Sequence, residues 1–360
     1  MSRTKRFFLI FGYVVFLALL LEGSARLAFF IPQVSKHLRG DEDYTWRRDW
    51  IQRHQYSGEE IYYKFDIYDP SKGWSSKPNL RGMKVFGDKV LNTNAKGFRG
   101  KKDFPYIKNK ERLRILILGD SFTFGDGVSD QETYSSYLQQ MLPHTEVINL
   151  GVHGYGHDQM LVLLKEEGVK YEPDIVILGF MAIDMSRNLL KFRDFAKPRF
   201  VLKGGKLKLT GSPVPRPVDI LRWGWARPRI FDMFSIMRYK VMASSGLYEK
   251  ECENVTTAII KNMIELIESI DAIPILAYLP PEEEISMRPA MTRDEGYMFS
   301  MCQSNEKAKC FSTRPYFAEK IAKGETFKSI WKSHWGPAAH FTVAEAIKHY
   351  LVDEELITVP

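Results

Sequence analysis

Hydrophobic and polar positions divide the chain into three stretches. The first is residues 7–21, FFLIFGYVVFLALLL, a charge-free run of 15 residues with Arg3, Lys5 and Arg6 before it and Glu22 and Arg26 after it. A helix needs about 20 apolar residues to cross a bilayer core, so the run is short for a span and long for the core of a cleaved signal. A second apolar patch at residues 27–31 extends it. The pattern predicts an N-terminal signal-anchor or transmembrane segment over residues 1–32. Gly23-Ser24-Ala25 is the best site for cleavage if the segment is removed. The basic flank keeps the first six residues cytoplasmic. The main mass is then exported, which in a bacterium means anchored in the inner membrane with the rest periplasmic.

The second stretch, residues 33–110, has no sustained period. Residues 33–60 read as a tether with a short helix. Residues 61–110 carry the turn signals Asp69-Pro70, Lys72-Gly73, Pro78-Asn79 and Arg81-Gly82, and read as short strands and loops. The third stretch is regular. Residues 113–118 (LRILIL), 146–150 and 174–178 (DIVIL) are short apolar runs, and 274–279 is a fourth. Between and after them, residues 131–142, 158–169, 253–270 and 337–351 have helical spacing. Strands alternating with helices predict a parallel sheet in an α/β domain over residues 111–355. A hairpin is expected at residues 200–209, where Gly204-Gly205 suits a two-residue turn with positive φ.

Composition narrows the class. Of 360 residues, 44% are hydrophobic, 13% aromatic and 26% charged, which excludes a disordered chain. One long apolar run excludes a polytopic membrane protein. The net charge of +7 is uneven: residues 186–248 hold 14 Lys/Arg against three acids, so the rest of the chain is slightly acidic. Such an insertion fits an anionic partner or a plain solvated basic face. Its Trp223 and Trp225 suit a sugar platform or a small satellite core. An exported location argues against nucleic acid. Three cysteines, Cys252, Cys302 and Cys310, form no C-x-x-C pair, so a zinc site is unsupported. Cys302 and Cys310 could close a small loop in an oxidising compartment.

Candidate chemistry begins at Gly119-Asp120-Ser121-Phe122-Thr123-Phe124-Gly125, directly after the first core strand. Ligands of open α/β sheets bind beyond the carboxyl ends of the strands, which is where Ser121 falls. Three further blocks follow in order: Asn149-Leu-Gly151-Val-His-Gly154-Tyr-Gly156, then Gly179-Phe-Met-Ala-Ile183-Asp184, then His334-Trp335-Gly-Pro337-Ala-Ala-His340. Together they resemble the GDSL-type esterases, or SGNH hydrolases. Tyr68-Asp69-Pro70 with Gly73-Trp74, and Asn94 with Gly97-Phe98-Arg99-Gly100, look like the N-terminal portion of a membrane-anchored bacterial branch.

The resemblance implies a flavodoxin-like three-layer α/β/α fold with a parallel sheet, and a serine hydrolase acting on esters. By it, Ser121 is the nucleophile and His334 its base. The Ser121 and Gly154 N–H groups are oxyanion donors, and Asp120 and Asp184 brace the site. No cofactor and no metal is implied; His153 and His157 flank glycines, which argues against a helical metal pair. The compartment and the basic insertion suggest an acylated glycan of the cell surface as substrate. Two positions depart from the family pattern. Ile183 stands where an Asn would give an oxyanion donor, and Lys332 stands where an Asp would orient His334. Asp184 or Glu325 could replace the acid, and His153 or His157 could replace the donor. Three readings stay open: an esterase or deacetylase, an O-acyltransferase on the same serine, and a catalytically degenerate glycan-binding protein.

Overall fold

The structure is a computed structural model that describes residues 2–38, 42–54, 64–224, 226–285, 290–305, 307–328 and 333–357. Contacts divide the chain into two compact units: residues 1–61, 190–196 and 215–251 form one, and residues 62–189, 197–214 and 252–360 form the other. The basic segment 186–248 is therefore shared between them.

The larger unit is built on a five-stranded sheet. Its strands are β1 (Leu113–Gly119), β2 (Thr145–Gly151), β3 (Ile175–Phe180), β4 (Ile273–Tyr278) and β5 (Lys309–Ser312). Their order across the sheet is β5-β4-β3-β1-β2, and every pairing is parallel. This is the flavodoxin-like doubly wound order, as expected. The runs read as buried strands in the sequence are buried on both faces, which is why they lack alternation. Ile115, Ile117, Ile177, Ile275 and Ala277 lie on one face and pack with residues from two helices, Tyr134–Met141 and Pro337–Asp353. Leu116 and Leu150 lie on the other face, near Leu164 of the helix His157–Glu166. β5 was not foreseen. It is four residues, KCFS, at the sheet edge, and it carries no apolar run.

The described residues of 62–110 give two small hairpins, the first pairing Asp66–Asp69 with Gly73–Ser76. The expected hairpin in the insertion pairs Arg199–Lys203 with Lys206–Thr210, and its Gly204 and Gly205 both have positive φ. Cys302 and Cys310 form a disulfide, and Cys252 is buried and takes no part in it.

The smaller unit includes the helices α1 (Arg3–Phe30), α2 (Glu42–His54), α3 (Pro217–Trp223) and α4 (Arg229–Ser244). α1 is long and apolar enough to cross a membrane and buries almost nothing. Trp50 of α2 is fully buried and meets Phe192 edge-on, with ring centroids 5.4 Å apart.

Candidate active site

β1 ends at Gly119, and the chain turns at once into a one-turn helix, Ser121–Phe124. Asp120 caps this helix, its carboxylate accepting the Phe122 N–H at 2.9 Å. The turn lies so close to the sheet end that neighbouring positions tolerate only hydrogen. A Cβ on Gly151 would fall 2.3 Å from the Phe124 nitrogen, and one on Gly119 would fall 1.9 Å from Thr123 Oγ1. Asn149 adds the polar clamp. Its amide donates to the Thr123 carbonyl at 2.7 Å, and its oxygen accepts the Gly151 N–H at 2.8 Å.

At the top of this turn, His334 Nε2 is 2.7 Å from Ser121 Oγ, although 213 residues separate them in sequence. The His334 ring rests against Phe122 at 4.8 Å between centroids, and Trp335 meets Phe122 edge-on at the same distance. Ser121 is buried and His334 half-buried, so the pair opens outward through the histidine. A hydroxyl and an imidazole at this distance are the pairing required for proton abstraction from a serine nucleophile.

The other block residues assemble around the pair. Gly154 lies on a loop with φ +73°, the left-handed region that favours glycine. That loop is held from the N-terminal subregion: Trp74 Nε1–H donates to the His153 carbonyl at 3.0 Å, and the Tyr155 hydroxyl donates to the Trp74 carbonyl at 2.5 Å. Arg99 acts likewise on the turn after Ser121. Its guanidinium donates to the carbonyls of Phe124 and Gly125 at 3.1 Å each and to that of Val128 at 2.7 Å, and it pairs with Asp130 at 2.6 Å. Arg187 is buried between Asp120, at 3.1 Å, and Asp184. Asp184 thus reaches the serine turn through Arg187 and Asp120. Removing one member of so buried a group leaves a charge without its counter-charge, at a cost of about 3–5 kcal/mol.

No protein-family model matches the chain, and no curated protein sequence does. Several solved structures are similar at low identity. A two-domain esterase active on acetylated mannans is 13% identical with a TM-score of 0.40; the match covers 69% of this chain and 51% of that one, so this chain spans about half the esterase's length. An acetylxylan esterase from Geobacillus stearothermophilus is 14% identical over 68% of this chain and 95% of its own, also at 0.40. A member of the lipolytic G-D-S-L family from Veillonella parvula is 11% identical over 67% and 98%, again at 0.40. Each is a distant likeness.

Most of the residues considered as replacements for the missing groups have partners of their own. Glu325 is exposed, and Asp184 is engaged with Arg187. His157 is fully buried, and its Nδ1 lies 3.2 Å from the Asn188 amide nitrogen. Burial, reinforced by Arg187, lowers its pKa to about 3, so it is a neutral packing residue. His153 Nε2 lies 3.0 Å from the buried Asp66 carboxylate. His340 accepts the Tyr134 N–H at 3.3 Å, and burial with the charges of Arg99 and His334 lowers its pKa to about 3 as well. Ile183 is 57% exposed, and its side chain carries no donor. Lys332 and Trp331 lie outside the described residues.

One acid near the pair was missed from sequence. Asp126 follows the left-handed Gly125, and its N–H returns to the Ser121 carbonyl at 3.0 Å. Its Oδ1 is buried with no hydrogen-bond partner among the described residues. Burial raises the pKa of its carboxyl, and the nearby charges of His153, His334 and Arg99 pull it back. The available signal was the motif itself. An acid directly after the glycine that ends the serine turn is carried back toward that serine.

Proposed function

We propose that the chain is an exported, membrane-tethered serine esterase that removes acyl groups, with an O-acylated cell-surface glycan as substrate. The observation that carries this is the 2.7 Å approach of His334 Nε2 to Ser121 Oγ beyond the end of β1. In the reaction Ser121 Oγ attacks the ester carbonyl while His334 takes its proton. The Ser121 and Gly154 N–H groups receive the developing oxyanion. The tetrahedral intermediate collapses, the alcohol leaves with the proton from His334, and the acyl group stays on Ser121. A water then gives its proton to His334, attacks the acyl-enzyme and releases the acid, restoring Ser121. As the stand-in for the absent block acid we infer Asp126, whose buried carboxyl is coupled electrostatically to His334.

The Cys302–Cys310 disulfide supports an oxidising compartment, and α1 supports tethering. The basic segment supports a substrate with negative charge nearby. A second reading, a glycan-binding protein that has lost catalysis, is favoured by the exposed Ile183 at the donor position. Labelling the purified chain with a fluorophosphonate and assaying p-nitrophenyl acetate separates the two. The esterase reading expects labelling and turnover that Ser121→Ala abolishes. Neither in the native chain would leave the binding reading. Transfer of acetyl to an added glycan in place of water would make the same serine an acyltransferase.

A further inference from the structure

The smaller unit exposes a helix face that the esterase reading does not use. On α4, Phe231, Phe234, Met237 and Val241 recur at spacings of three and four and are each 56–61% exposed. Trp223 at the end of α3 is 62% exposed and Val218 is 50% exposed. The roll of α4 is fixed from its other side, where Ile236 is buried and the buried Asp232 pairs with Arg227 at 2.9 Å and Arg229 at 3.0 Å. The apolar side chains therefore point outward by construction. Contiguous exposed apolar surface of this kind marks a contact with a membrane or a protein.

Two observations say which. The first is continuity with α1. Glu22, the first charge after the apolar run, accepts the N–H groups of Arg229 and Ile230 at 3.0 Å each and pairs with Arg26 at 2.7 Å. α4 thus begins at the level where α1 leaves its apolar stretch. That stretch, 15 residues at a rise of 1.5 Å, is about 22 Å long against a hydrocarbon core of about 30 Å. Glu22 and Arg26 mark the interface there, and apolar side chains beside them would meet acyl chains under the headgroups. The second is charge. Between residues 216 and 245 there are six Lys/Arg against two acids, among them the exposed Arg216, Arg222, Arg238 and Lys240. Basic side chains bordering an apolar helix face match anionic headgroups above an acyl layer.

We propose that the outer face of α4, with the end of α3, is a lipid-binding surface lying in the headgroup region of the bilayer that α1 crosses. The inference rests on the membrane reading of α1. It gives the protein a second, lateral contact that fixes the smaller unit against the bilayer surface, where α1 alone would leave it free to swing.

The test uses the full chain reconstituted into phosphatidylcholine vesicles, with and without phosphatidylglycerol. A fluorescent label is placed at Phe234→Cys, at Met237→Cys and, as an anchor control, at Val15→Cys. The expected result is that labels at 234 and 237 shift to the blue and are quenched by brominated acyl chains, more strongly with phosphatidylglycerol. Phe231→Glu with Phe234→Glu, both at exposed positions, should abolish the quenching at Met237→Cys while circular dichroism stays unchanged. A quenched label at 15 with water-like labels at 234 and 237 overturns this inference and leaves the anchor intact. An unquenched label at 15 overturns the anchor as well. Labels at 234 shielded from water but not quenched by brominated lipid would assign the face to a protein partner, also overturning the proposal.

Discussion

Ile183→Asn restores the donor that the GDSL-type pattern has and this chain lacks. The substitution is mild for folding. Ile183 is 57% exposed, its φ of −59° and ψ of −26° are open to Asn, and its carbonyl keeps the Ser186 hydroxyl at 3.0 Å. Stability should move by no more than about 0.5 kcal/mol, the usual range for a surface change. One oxyanion donor is worth about 10²–10³ in turnover, or ~2.7–4 kcal/mol. It acts on the charge that develops in the transition state and little on the ground-state ester, so the gain belongs in kcat rather than KM. The full ceiling requires the Asn amide to hold one rotamer on a half-open site, so a rise of at least about tenfold is the working expectation. The measurement is kcat for p-nitrophenyl acetate, normalised to sites counted by fluorophosphonate titration. Ile183→Ala is the control, because it removes the same bulk and adds no donor. Equal kcat for the two variants at equal titre would refute the reasoning, since it would mean that position 183 does not face the oxyanion.

Three further outcomes are expected. Asp126→Asn keeps the volume and removes the charge, so the His334 imidazolium loses its anion. Turnover should fall about tenfold, whereas an unchanged kcat would exclude Asp126 as the partner of His334. Gly151→Ala forces a methyl to within 2.3 Å of the Phe124 backbone, and should cost ~1–3 kcal/mol with loss of Ser121 labelling; native labelling and stability would show that the serine turn is free to shift. His157 and His340 are held neutral, with folded pKa values of about 3 against an ordinary 6.5. The unfolded chain takes up these protons first, so stability is full above pH 6.5 and is lost as pH falls toward 3. By pH 5 each should cost about 2 kcal/mol. Denaturant midpoints at pH 7 and 5 should therefore differ, and His340→Gln should narrow the gap; identical midpoints would mean that the two rings are not buried as neutral bases.

Much of the architecture was legible because the core strands announce themselves. Sequences such as LRILIL and DIVIL are buried on both faces, and a doubly buried strand is nearly continuous in apolar residues; Arg114 is admitted because Glu146 pairs with it at 2.7 Å. The edge strand Lys309–Ser312 escaped notice because four residues at a sheet edge need bury little. The serine and histidine were legible through their blocks, whose glycines are demanded by close backbone approach. The acid was not. A search back from His334 by sequence distance meets Lys332 and Glu325, and Asp126 lies more than two hundred residues earlier.

The sequence by itself determined the parallel sheet, the apolar N-terminal helix, the serine turn and the absence of an amide at position 183, because each is set by local pattern or by one residue's chemistry. Only the tertiary structure decided which groups share space. It brought His334 to Ser121, buried His157 and His340 as neutral rings, tied Asp184 to Asp120 through Arg187, and turned the apolar side of α4 outward. The reason is physical. Burial and charge–charge coupling depend on distance through space, and the chain order that fixes secondary structure says little about that distance until the sheet has folded.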